Sequence, residues 1–134
     1  MDNGHGLVTI FSEHSVHETL DRAEALIEAS GNQVFARIDH QAAAIAAGLS
    51  MLPMQLIIFG NPRAGTPLMV ATPTLGLELP LKLLAWQGAD GRVWLTFDSL
   101  VWLGARHDAA AVADRLQVLE ANLRALADRA GAGG

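Results

Sequence analysis

Apolar and polar positions alternate with two different periods along this chain. Leu7 to Phe11 is a short apolar run and predicts a first strand. Ser15-Val16-His17-Glu18 then reads as a capping box, in which the Ser hydroxyl accepts from the Glu18 N–H and the Glu carboxylate returns to the Ser15 N–H. Val16, Leu20, Ala23 and Ile27 recur at helical spacing until Gly31-Asn32 stops the helix. Val34, Ala36 and Ile38 alternate with Phe35 and Arg37, a strand period. Asp39 can cap a second, Ala-rich helix closed by Gly48, and Pro53 opens a strand over Met54 to Phe59.

Gly60 to Gly65 reads as a rigid loop. Thr66-Pro67 and Thr72-Pro73 each fit an N-cap followed by proline, which predicts one or two short helices between Pro67 and Leu77. Leu79 to Trp86 and Arg92 to Phe97 are strands joined by the Gly88 to Gly91 hairpin. Asp98 is expected to cap a short helix through Leu103, and Asp108 to start a long last helix. In that helix Val112, Leu116, Leu119, Leu123 and Leu126 form an a/d seam. The order of elements predicts an α+β fold: a single compact domain with a sheet of about five strands, mostly antiparallel or mixed, and helices mainly on one face. The domain is expected to span residues 1–134, with a flexible tail from Ala130 to Gly134.

Composition narrows the function classes. Apolar residues make up 51% of the 134, which excludes a disordered chain. The net charge of −5, with no run of Lys or Arg, argues against nucleic acid as a partner. There is no cysteine, so disulfides, thiol catalysis and Cys-ligated metals are excluded. The most apolar stretch is broken by Gly48, Ser50, Pro53 and Gln55, so no membrane span is expected. No signal peptide is visible, and a cytoplasmic location is expected. Charged residues are only 17%, against about 25% in an average soluble chain. That shortage leaves apolar surface for self-association and predicts a homodimer.

Candidate chemistry is sparse. His14 and His17 stand three apart, but His14 precedes the helix cap, and no metal site is expected. His107, beside Arg106 and Asp108, reads as a capping or surface residue. Asp39-His40 lies where a strand ends and a helix begins, a place that often faces a crevice, and His40 could act there as donor, acceptor or general base. Phe59 to Pro62, followed by Gly65-Thr66-Pro67, combines a strand end, a glycine-bearing loop and a helix start, whose free N–H groups can receive an anion. It lacks the Gly-Lys-Ser/Thr of a P-loop. Trp86, Trp94 and Trp102 cluster around the hairpin and the helix after it, as packing or as an aromatic wall. No catalytic triad is legible.

Phe35-Ala36-Arg37-Ile38-Asp39-His40, Phe59-Gly60-Asn61-Pro62, Gly65-Thr66-Pro67-Leu68-Met69 and Leu79-Pro80-Leu81-Lys82 occur in that order. With Val93-Trp94-Leu95 and Leu103-Gly104-Ala105-Arg106-His107, they resemble a bacterial and archaeal family named only as domain of unknown function 302. The resemblance implies a compact α+β fold and pairing as dimers, but no agreed activity and no particular cofactor. Its recurring words fall on Asp39, His40, Asn61, Gly65, Thr66 and Pro67.

The function expected from the sequence is therefore a homodimeric module for a small, partly apolar or anionic ligand, held by Asp39, His40, Asn61, Gly65 and Thr66. Two alternatives stand beside it. One is a small hydrolase-like or other enzyme with His40 as general base. The other is a structural or regulatory interaction protein that docks through the a/d seam or the Trp residues.

Overall fold

The computed structural model describes residues 1–133. Gly134, the end of the expected tail, lies outside the described residues. Five strands form one antiparallel sheet in the order β1-β5-β4-β3-β2. They are β1 (Leu7–Ser12), β2 (Gln33–Asp39), β3 (Met54–Gly60), β4 (Leu81–Gln87) and β5 (Val93–Asp98). Five helices accompany them: α1 (Val16–Ala29), α2 (His40–Ala46), α3 (Pro62–Ala71), α4 (Leu100–Arg106) and α5 (Ala113–Gly131). The fold is α+β, as the pattern predicts.

Strand alternation gives the sheet two unlike faces. Val8, Ile57, Phe59, Leu83, Ala85, Leu95 and Phe97 are buried on one face beneath Val16, Leu20, Ala23 and Ile27 of α1 and Leu123, Ala127 and Ala130 of α5. A buried aliphatic side chain contributes about 1.5–3 kcal/mol, so this face fixes the register of the whole sheet. The opposite face carries Phe11, Trp94, Trp86, Leu56 and Ile38, all partly or fully open to solvent. Trp94 meets Phe11 edge-on at 5.5 Å and faces Trp86 at 6.5 Å across neighbouring strands. Trp102 stands apart from that pair, over Gly6.

A second, smaller core of Leu68, Leu75, Leu100, Leu103, Val112 and Leu116 joins α3, the 3-10 turn Pro73–Leu77, α4 and the start of α5. Here α4 and α5 approach so closely that a Cβ on Gly104 would stand 2.6 Å from Leu116 Cδ1, so any larger residue requires the Leu116 side chain to move. The a/d seam is thereby used within the chain. Leu116 and Leu123 are buried, and Leu119 and Leu126 partly so.

The local chemistry of several helix ends differs from the sequence reading. Ser15 accepts from the Glu18 N–H at 3.1 Å, but the Glu18 carboxylate turns to His14 Nδ1 at 3.2 Å, which leaves half a capping box. The stretch read as a loop is the start of α3. Asn61 Oδ1 accepts from the Arg63 N–H and Pro62 takes the first helical position, so Pro67 lies inside the helix rather than opening one. Asn61-Pro62 is as good a cap-and-proline pair as Thr66-Pro67, and an interior proline so near the N-terminus removes only one ladder bond. Ser99, not Asp98, caps α4 by accepting from the Trp102 N–H. Asp108 does not start the last helix: its φ of 53° breaks the chain direction, and α5 begins at Ala113 after a 3-10 turn.

The expected tail is helical as far as Gly131. Arg22 donates to the carbonyls of Arg129, Ala130 and Ala132, and the Glu13 N–H donates to Gly131.

Candidate functional site

Antiparallel pairing separates the two halves of the expected site. Asp39 pairs with Gln55 at the start of β3, while Gln33 pairs with Gly60 at its end. Gln55 and Asn61 are six residues apart, about 20 Å of extended chain. Asp39 and His40 therefore share no point with Asn61, Gly65 and Thr66, and a pocket holding all five is ruled out by the register. The two ends of β3 are best described separately.

At the Gln55 end the polar groups are engaged with one another. Arg37 donates to Gln55 Oε1 at 3.1 Å, to Asp21 at 2.7 Å, to Glu24 at 3.4 Å and to the His17 carbonyl at 3.0 Å. Gln55 is buried and donates in turn to Asp39 Oδ2 at 3.4 Å. The other Asp39 oxygen accepts from the Ala42 N–H as the cap of α2. Asp39 is thus held in place structurally, and among the described residues His40 makes no hydrogen bond or ion pair with an acid that would orient it as a base. Among the described residues, no cluster of three His, Asp or Glu side chains is placed to hold a metal ion.

The other end of β3 opens into a cavity of about 700 Å³. A register shift between Val34 and Ala36 bulges Phe35 out of β2 and onto the cavity rim. Phe59 and Gly60 form the floor, Leu26 and Ile27 of α1 one wall, and Asn61, Gly65, Thr66 and Met69 of the α3 segment another. The third wall is α5, through Leu119, Asn122, Leu123, Leu126 and Arg129. Asn61 uses its Oδ1 as the α3 cap, which leaves its Nδ2 able to donate into the space. Gly65 contributes room: a Cβ there would meet only Leu79 and Met69 side chains, at 3.8 and 3.9 Å.

The sequence reading found the α3 wall and missed the α5 wall. The signal was present, since Leu119 and Leu126 of the a/d seam continue to Asn122 and Arg129 at spacings of three, four and three. Spacing shows that such a stripe faces inward. It does not show whether the stripe meets side chains or empty space.

A third polar cluster lies at the surface between the Pro73–Leu77 turn and α4. His107 Nε2 and Glu78 Oε2 are 2.8 Å apart, and His107 Nδ1 lies 2.8 Å from Thr74 Oγ1. With Nε2 donating to the carboxylate, Nδ1 accepts from the hydroxyl. The order hydroxyl, imidazole, carboxylate is that of a proton relay, but Thr74 is exposed and the cavity lining does not include it. The arrangement ties the turn to α4. Nearby, Asp98 has its carboxyl raised above the ordinary value by partial burial, then by repulsion from Glu78, with Lys82 and Arg106 opposing.

With the geometry in hand, comparison with known proteins gives a family. The family model named Domain of unknown function DUF302 matches residues 8–130. The chain belongs to the DUF302 family. A crystal structure of an uncharacterized conserved DUF302 protein from Bacillus stearothermophilus superposes with a TM-score of 0.84, covering 92% of this chain and 97% of that one. At 22% identity, that likeness speaks for the fold alone. Among curated proteins, this DUF302 chain is 49% identical over 109 residues to proteins named fluoride-specific ion channel FluC 1 from Brucella suis biovar 1 and from Brucella abortus biovar 1. The match covers 81% of this chain but only 43% and 40% of those proteins, so the chain spans about two fifths of their length. No helix among the described residues is long and apolar enough to cross a membrane.

Proposed function

We propose that this DUF302 chain is a homodimeric, cytoplasmic module that binds a small, mostly apolar molecule in the cavity between α3, α5 and the Phe59–Asn61 end of β3. One observation carries the reading: about 700 Å³ of space, walled by Leu, Phe and Met side chains and punctuated by a few polar groups. Small-molecule sites have that size and that mixture. Asn61, Gly65 and Thr66 serve the site, while Asp39 and His40 do not. The test is titration with the neutral apolar dye Nile red. The wild type is expected to bind one dye per chain, Gly65→Phe to bind about 100-fold more weakly because its ring fills the space, and His40→Ala to bind as the wild type does. Equal dye binding by wild type and Gly65→Phe would remove the reading.

The open sheet face supports the dimer. Phe11, Ile38 and Leu7 are 49%, 38% and 40% exposed, and Leu49 and Leu52 beside α2 continue the apolar surface. Five strands at about 4.8 Å and about 3.3 Å per residue make a face of ~24 by ~20 Å. With its side-chain relief and the α2 margin, that approaches the ~800 Å² per partner of a standard interface. Sedimentation at micromolar concentration is expected to give a dimer, and a Phe11→Glu variant a monomer; a monomeric wild type would remove this part.

A second reading is favoured by the two-fifths coverage of the channel-named relatives. A DUF302 unit sharing a chain with other sequence could serve as a regulatory or docking partner. Co-purification of this chain with a fluoride channel from the same membranes is expected on that reading, and its failure would remove it.

A further inference from the structure

We propose that the cavity selects an amphiphile of the fatty-acid class, an extended hydrocarbon ending in a single carboxylate, with Arg129 receiving the head group. This rests on the cavity reading above and adds the chemical class. Of the side chains lining the space, Arg129 is the only charged one. None of the 14 acids of a chain with net charge −5 lines it. Among the described residues Arg129 forms no salt bridge with a carboxylate, a property it shares with Arg22, Arg63 and Arg115, none of which lines the cavity, while Arg37, Arg92, Arg106 and Arg124 are each paired. A lone guanidinium at the edge of an apolar chamber attracts an anion and repels an amine, and its planar fork suits a carboxylate.

The shape fits an elongated molecule. Leu119 and Arg129 lie ten residues apart on one helix, about 15 Å of rise. A helical side chain leans toward the N-terminus, so Arg129, exposed on the cavity lining, stands at the rim on the Leu126 side. At roughly 30 Å³ per heavy atom, the liquid share of a water molecule, about 700 Å³ holds on the order of 20 heavy atoms. A saturated carboxylate of 12 to 18 carbons (~14–20 heavy atoms) meets both limits.

The experiment uses the full chain and three probes of equal length: dodecanoate, dodecanol and dodecylammonium, each below its micelle concentration, displacing bound Nile red. The wild type is expected to prefer dodecanoate over dodecanol by about tenfold and to bind dodecylammonium weakest. Arg129→Gln should lower dodecanoate affinity about tenfold and leave dodecanol unchanged, while Arg129→Lys restores part of the preference. Arg115→Gln, on the same helix but outside the cavity, should behave as wild type. Equal affinities for acid and alcohol, a preference for the amine, or an unchanged preference in Arg129→Gln would overturn the head-group assignment while leaving the cavity standing. Nile red binding that Gly65→Phe does not disturb would overturn the cavity reading itself.

Discussion

The two ends of β3 begin from similar material and reach opposite results. Both end beside a helix whose cap is supplied by the chain leaving a strand, Asp39 for α2 and Asn61 for α3. At the Gln55 end, Arg37 reaches inward and bonds Gln55, Asp21 and Glu24 together, so these polar groups are engaged with one another. At the Gly60 end no long side chain fills the gap. Phe35 is bulged outward, Gly60 and Gly65 have no side chain, and α5 offers Leu, Asn and Arg to an empty chamber. Strand ends do not become sites merely by carrying His and Asp. The end we propose as the site is the one where hydrogen-bonding capacity and volume are both left over.

Perturbing each end in turn sharpens that contrast. The largest effect is expected from Gly65→Phe, which should weaken Nile red binding about 100-fold while keeping or raising the melting temperature, because glycine inside a helix costs about 1 kcal/mol relative to alanine. Calorimetry and dye titration on the same sample check both parts. A large fall in melting temperature would show that the chamber is not free volume.

Next comes Arg37→Ala at the closed end. Buried Gln55 then loses its charged partner, and about 2 kcal/mol of stability should go, discounted because Asp21 and Glu24 are half-exposed. Thermal denaturation should show a drop of roughly 6–8 °C. Dye affinity should change less than twofold, and a larger change would mean that the two ends are coupled.

Asp39→Ala removes only a helix cap and a long contact from Gln55, which predicts a loss of about 1 kcal/mol by urea denaturation. A loss of dye binding in that variant would return Asp39 to the site.

The smallest effect concerns Asp98, outside both ends. Its folded pKa lies above the ordinary 3.8, so the folded state holds the proton more tightly than the unfolded state. Stability from this group is present below pH 3.8 and falls as pH rises through the raised folded value. Asp98→Asn should therefore match the wild type at pH 3 and melt slightly higher than it by pH 7. A melting difference that shrinks as pH rises would reverse the assignment.

Much of the fold was legible because its signals are local. The period of two in β3, the period of 3.6 in α1 and the Gly88–Gly91 turn depend on neighbours in sequence. The α3 start was misplaced because two cap-and-proline pairs compete within seven residues, and only the tertiary position of β3 chooses Asn61. The α5 wall escaped because Arg129 and Leu126 look the same in sequence whether they meet a neighbour or a void. Asp39 and His40 were joined to Asn61 because all three sit near strand ends, and only the antiparallel register shows that the ends are opposite ones.

The most direct measurement is methyl NMR of the wild-type chain titrated with dodecanoate. Shifts are expected at the methyls of Leu26, Met69, Leu79, Leu119 and Leu126, saturating at one ligand per chain, with Leu56 and Ile38 on the open sheet face unmoved. Shifts confined to Leu56, Ile38 and the Asp39–His40 end, with the α5 methyls silent, would contradict that expectation.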